Sequence, residues 1–150
     1  MRMPFDERLG SDIKRVEQEL MRAKSGAVRP AGLTVPQYAA LFVLQDNAGI
    51  SAAELARKCL VTPQTMTTVL RGLEAAGLVE RSQHPWHRNV LETRLTPDGL
   101  AALDRADVRA AAIERRLEAE FSSAERDQLR ALLARCSQVL TAPEDETARR

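Results

Sequence analysis

The chain has 150 residues, 44% hydrophobic and 29% charged, which suits one compact domain or a small domain with extra helices. Aromatics make up only 3%, so the core must be aliphatic, and that favours helices packed on helices over a sandwich or barrel. A formal net charge of +1 excludes a globally basic nucleic-acid binder, and two distant cysteines, Cys59 and Cys136, exclude a disulfide framework. No apolar run approaches the roughly 20 residues that span a bilayer, and Met1 to Gly10 lacks the apolar stretch of a signal peptide. The expected setting is therefore the cytoplasm, with no membrane partner.

Residues 1–33 read as an N-terminal helix and loop. Leu9, Ile13, Val16 and Leu20 recur every three or four residues from Asp6 to Lys24, which predicts one apolar helix face. Gly26, Pro30 and Gly32 make Ser25 to Gly32 a loop by composition. Residues 34–96 read as a compact middle. Thr34 and Gln37 form a capping box that starts a helix, with Tyr38, Leu41, Phe42 and Leu44 as its apolar face and Gly49 after its end. Ser51 and Glu54 predict a second box, followed by a short helix that buries Leu55, Ala56 and Cys59.

After a very short turn, Thr62 caps another helix with Pro63 at its first position. Met66, Val69, Leu70 and Leu73 form its inner face, and Gly77 stops it. The period then changes. Leu78 to Ser82 and Val90 to Leu95 predict a two-stranded hairpin whose long polar tip runs from Gln83 to Asn89. Residues 97–141 read as two helices. The first opens at Thr96-Pro97 with Leu100, Leu103, Val108, Ile113, Leu117 and Phe121 on its apolar side. The second opens at a Ser122/Glu125 box with Leu129, Leu132, Leu133, Cys136, Val139 and Leu140 as its buried stripe. Residues 142–150 read as a disordered tail.

Two short helices on a tight turn followed by a hairpin make a mostly α fold with a small β wing, the winged helix-turn-helix pattern. Such a fold reads double-stranded DNA when its second helix turns hydrogen-bonding side chains outward. Here Gln64, Thr65, Thr67 and Thr68 are the candidate base readers, since Gln pairs with adenine and Thr can donate, accept or touch a thymine methyl. Lys58, Thr62, Arg71, Arg81 and Arg94 are the candidate phosphate contacts, with Thr62 placed at a positive helix end. His87 and Arg88 at the wing tip are the candidates for the minor groove, with Arg88 the residue that reaches in. From Arg57 to Arg94 there are six basic residues against three acidic ones, a local +3 in a chain of total +1. Titration of His84 and His87 predicts DNA affinity that changes mildly with pH.

No Gly-rich phosphate loop, H-E-x-x-H or placed Ser/His/Asp set is present, so neither catalysis nor a cofactor is expected. His84 and His87 lack further ligands in matching geometry, so no metal is expected either. Two other readings compete. One is a redox- or metal-sensing regulator on the same fold, working through Cys59. The other is a winged-helix protein-docking module.

Several segments carry a resemblance to the MarR family of bacterial regulators. They are Leu33 to Tyr38, Ser51 to Ala56, Thr62 to Thr67, Leu73 to Arg81 and Leu95 to Gly99. The resemblance extends from about Asp6 to Leu140. It implies a homodimer formed by the first and last helices, so that residues 1–33 and 97–141 become dimerisation segments around the DNA-binding lobe 34–96. It also implies repression at a pseudo-palindromic operator, relieved by a small-molecule effector held near Tyr38, Leu41 and Phe42. The chain departs from the family pattern at two points. His87 stands where an Asp usually precedes the tip Arg, and Leu60 stands where Gly is frequent in the turn. If position 60 needs a positive φ, Leu costs on the order of 1 kcal/mol there.

Overall fold

The computed structural model describes residues 2–143. Its helices are α1 (Leu9–Val28), α2 (Val35–Asp46), α3 (Ala52–Lys58), α4 (Pro63–Ala75), α5 (Pro97–Glu120) and α6 (Ser123–Thr141). The strands are β1 (Ile50–Ser51), β2 (Val79–Gln83) and β3 (Leu91–Leu95). The helices from α2 to α6 each begin at a Ser or Thr whose side chain accepts a first-turn N–H: Thr34, Ser51, Thr62, Thr96 and Ser122. The boxes at Thr34/Gln37 and Ser122/Glu125 close in both directions. At Ser51 only the Ser half forms, a correction to the expected second box. Backbone and side-chain bonds from Ser122 hold the Glu125 carboxyl below its usual range. That contribution to the cap is present above the ordinary carboxylate pKa and is lost as pH falls through the lowered one.

Three further expectations, on α1, the sheet and α5, are corrected. First, α1 does not stop at Lys24 but runs through Ser25 and Gly26 to Val28. Val28 is fully buried in the core, and that burial exceeds the cost of about 1 kcal/mol for an internal Gly. The true stop is Gly32, at φ 78°, after a 3-10 turn over Arg29–Ala31. Second, the sheet has three strands in the order β1-β3-β2, not two. Ile50 pairs with Thr93, while Arg81 lies opposite Thr93 and Val79 opposite Leu95. Third, the buried side of α5 is Gly99, Ala102, Leu103, Ala106 and Ala110, whereas Leu100, Val108, Leu117 and Phe121 are exposed. Small side chains let the helix lie close to its neighbours. Gly99 is the extreme case, because a Cβ there would overlap the Leu78 carbonyl oxygen. Thr96 ties the same corner, donating its hydroxyl to the Gly77 carbonyl at 2.6 Å.

The chain divides into two compact units, the first ending at Ile113 and the second starting at Glu114, so the division falls within α5. The core of the first unit gathers Val28, Leu33, Leu41, Leu44, Ile50, Leu55, Met66, Leu70, Leu73, Val79 and Leu103. On α1, Leu9, Ile13 and Val16 are exposed. In the second unit α6 buries no residue. The stripe expected to be buried, Leu129, Leu132, Leu133, Val139 and Leu140, is exposed, with Cys136 intermediate. A stripe with helical period needs a partner surface. No helix among the described residues is long and apolar enough to cross a membrane. Apart from Ala142 and Pro143, the expected tail lies outside the described residues.

Helices α3 and α4 end in the same Schellman geometry. Leu60 N–H donates to Arg57 O and Val61 N–H to Ala56 O; Gly77 N–H donates to Glu74 O and Leu78 N–H to Leu73 O. Position 77 is Gly at φ 72°, but position 60 is Leu at φ 56° and 92% exposed. Leu60 therefore carries the left-handed strain with no burial to offset it. Leu60→Gly should raise unfolding stability by about 0.5–1 kcal/mol, measured by urea denaturation, after allowing for glycine's extra unfolded-state freedom. An unchanged or lowered midpoint would contradict the strain.

Candidate nucleic-acid interface

The interface is built outward from α4. Met66, Val69, Leu70 and Leu73 are buried beneath the helix, which fixes its rotation. At 100° per residue, Gln64, Thr68, Arg71 and Ala75 then form the stripe farthest from the core, with Thr65 and Thr67 flanking it. All six are exposed. The Thr62 hydroxyl oxygen accepts the Thr65 N–H at 3.1 Å, and Pro63 has no N–H, so the Gln64 amide is the first-turn donor without an intrahelical acceptor. Thr62 and that amide form the positive end of the helix, and Lys58, the last residue of α3, is exposed four residues before Thr62.

The wing supplies the second surface. At its base Arg81 and Thr93 face each other across β2 and β3. The Arg81 Nε and the Thr93 Oγ1 are both buried without a hydrogen-bond partner among the described residues. Arg94 donates to Glu92 at 3.0 Å and folds over Gly49, where a Cβ would stand 2.9 Å from its guanidinium. The His84 Nε2 lies 3.5 Å from the same Glu92 carboxylate. Among the described residues, two of the candidate phosphate contacts are already engaged: Arg94 by Glu92, and the Thr62 hydroxyl by Thr65.

His84 also organises the tip. Its Nδ1 accepts the Trp86 N–H at 3.1 Å and the His87 N–H at 3.2 Å, and the His84 and His87 rings lie 5.1 Å apart. This turn holds the segment where an Asp is missing at position 87. His87 and Arg88 are exposed, as is Trp86 at 86%.

Of the effector candidates, Leu41 is wholly within the core and Phe42 is half exposed. Tyr38 donates its hydroxyl to Asp107 of α5 at 2.7 Å, and its ring centroid is 6.0 Å from that of Phe42. Asp107 was not legible as a partner, since it lies 69 residues away. An open groove of about 530 Å³ lies elsewhere in the first unit, bounded by Leu44, Leu95, Pro97, Leu100 and Arg94. Cys59 is partly buried, and burial pushes its thiol up from the ordinary value. Less thiolate means a slower reaction with oxidants, which weighs against the redox reading. Among the described residues no group of three or more His, Cys, Asp or Glu is placed to hold a metal ion.

A helix pair on a tight turn, an outward polar second helix and an antiparallel wing define a winged helix-turn-helix protein. The chain belongs to the MarR family of DNA-binding transcriptional regulators, whose family model matches residues 31–88. It is 37% identical to the HTH-type transcriptional repressor Rv2887 of Mycobacterium tuberculosis over 133 residues, covering 89% of this chain and 96% of that one. It is 30% identical to the homoprotocatechuate degradative operon repressor of Escherichia coli, covering 71% of this chain and 72% of that one. Among solved structures it resembles the transcriptional repressor CouR bound to a 23-mer DNA duplex, with a TM-score of 0.79 and 28% identity over 91% of this chain and 99% of that one. It also resembles Rv2887 in complex with salicylic acid, with a TM-score of 0.66 and 36% identity over 89% of this chain and 99% of that one.

The amide bonds to His84 make a direct prediction. His84→Asn places Oδ1 close to where Nδ1 stood and should keep the tip ordered, while His84→Ala should free it. Trp86, the chain's single Trp, reports the difference: its fluorescence anisotropy should stay near wild type in the Asn variant and fall in the Ala variant. Equal anisotropy in all three proteins would contradict the assignment.

Proposed function

We propose that the chain represses transcription as a homodimer that sets two copies of α4 into successive major grooves of a pseudo-palindromic operator. The carrying observation is the arrangement of α4, with a buried apolar underside and an exposed stripe of Gln64, Thr68 and Arg71. The dimer reading is supported by apolar residues the single chain leaves exposed, Leu9, Ile13 and Val16 on α1 and Leu129, Leu132 and Leu133 on α6. On this reading residues 1–33 and 97–141 serve dimerisation, residues 34–96 serve DNA binding, and the protein works in the cytoplasm.

Within the lobe, Gln64, Thr65, Thr67 and Thr68 meet base edges. Lys58, Thr62, Arg71 and Arg81 hold phosphates, and Arg94 does so only by releasing Glu92. Arg88, beside His87, enters the minor groove. Relief by a small molecule rests on the relative solved with salicylic acid. We place the effector against Tyr38 and Phe42, with Leu41 behind them in the core. There it would act on the Tyr38–Asp107 bond that joins α2 to α5.

Binding to a duplex taken from upstream of the protein's own gene, measured across a salt series, tests the assignment. Arg88→Ala should weaken binding and lower the slope of log K against log salt by about one. Gln64→Ala should leave that slope unchanged and lose about 1–3 kcal/mol of discrimination at one base pair. An unchanged slope for Arg88→Ala would remove the wing from the interface, and unchanged discrimination for Gln64→Ala would remove Gln64 as a reader.

A further inference from the structure

The threonines of α4 are not chemically alike. Thr67 donates its hydroxyl to the Pro63 carbonyl at 3.0 Å, and Thr68 donates its hydroxyl to the Gln64 carbonyl at 3.3 Å. A hydroxyl has one proton and a carbonyl oxygen only accepts, so both protons are committed within the helix. With Oγ1 turned back to the preceding turn, the staggered γ-methyl points away from it. Both residues are exposed, so that methyl faces outward. Thr65 is different. Its Oγ1 is bonded to the Thr62 hydroxyl at 2.9 Å and not to a helix carbonyl, so of the two protons in that hydroxyl pair one is left for an outside acceptor.

We propose that Thr67 and Thr68 read DNA through their γ-methyl groups, against the C5-methyl of thymine, and that Thr65 is the hydroxyl donor of the set. The proposal rests on the reading of α4 as the base-reading helix and assigns the chemistry of its contacts. Thr68 sits on the outermost stripe between Gln64 and Arg71, so it carries the larger share. The three side chains then divide the work: an amide with donor and acceptor, a methyl, and a guanidinium that only donates.

Selection from a pool of randomised 30-base-pair duplexes supplies the probe, followed by single thymine-to-uracil replacements in the enriched sequence. Thr68→Val keeps the branched shape and a methyl but removes the hydroxyl; Thr68→Ser keeps the hydroxyl and removes the methyl. The wild type should lose about fourfold in affinity at one or more thymine-to-uracil positions, the worth of one buried methyl group. Thr68→Val should enrich the same sequence and retain that loss. Thr68→Ser should bind the thymine duplex about fourfold more weakly and no longer distinguish uracil at that position. Thr65→Val should weaken binding with no change in the response to uracil. Equal binding of thymine and uracil duplexes by the wild type would overturn methyl readout. So would a Thr68→Ser variant that keeps the preference while Thr68→Val loses it. Failure of the wild type to enrich any sequence would instead overturn base reading by α4 itself. Thermal melting of each variant confirms that these exposed substitutions leave the fold intact.

Discussion

The burial of four side chains beneath α4 is the constraint on which the interface depends. Met66, Val69, Leu70 and Leu73 pack into the same core as Leu41, Leu44 and Leu55. Removing each from water stabilises the fold by about 1.5–3 kcal/mol. Turning α4 by even one residue's angle would expose part of that surface and draw Thr67 or Thr65 inward, where an unpaired hydroxyl costs about 1–3 kcal/mol. The outward set is therefore dictated by the inward one. The cap at Thr62 fixes where the helix starts, and the Schellman ends at Leu60 and Gly77 fix the entry and exit of the chain.

The wing is held to this core by contacts that are short and unforgiving. The α5 start is pinned at Gly77 and Leu78 by Thr96 and by the absence of a side chain at Gly99. From there β3 runs between β1 and β2, with fully buried Thr93 at its centre. Glu92 sits low on the wing between Arg94 and His84, so one carboxylate neutralises part of a locally basic surface and braces the base of the tip. The positive charge left facing outward comes chiefly from Lys58, Arg71 and Arg88, exposed residues with no carboxylate partner among the described residues.

Much of this was legible because local chemistry and tertiary packing agree. Thr34 with Gln37, Thr62 with Pro63, and Ser122 with Glu125 mark helix starts that the structure places at those residues. The period of Met66, Val69, Leu70 and Leu73 gave the right face because large apolar side chains do the packing there. The reading failed where packing uses no large side chain. The buried side of α5 is mostly Ala and Gly, so weight given to Leu, Val and Phe found Leu103 but missed the rest of that face. Strand β1 has two residues, too few for any period, and its Ser51 also caps α3. Gly26 looked like a breaker, but burial of Val28 two residues on carries the helix through it. The tip geometry at His84 depends on backbone amides of residues two and three positions later, and no pattern of side chains announces that. The candidate readers on α4 were legible by face, but which threonine proton is free is a property of the folded helix alone.

Chemical probing of the major groove tests the central claim most directly. Dimethyl sulfate methylates guanine N7 in the major groove and adenine N3 in the minor groove. On a duplex saturated with the protein, guanine N7 should be protected in two patches about one helical turn, roughly 10 base pairs, apart. Adenine N3 should be protected beside them where Arg88 enters. Full reactivity of every guanine N7 in a saturated complex, or a single protected patch, would contradict a pair of α4 helices lying in consecutive grooves.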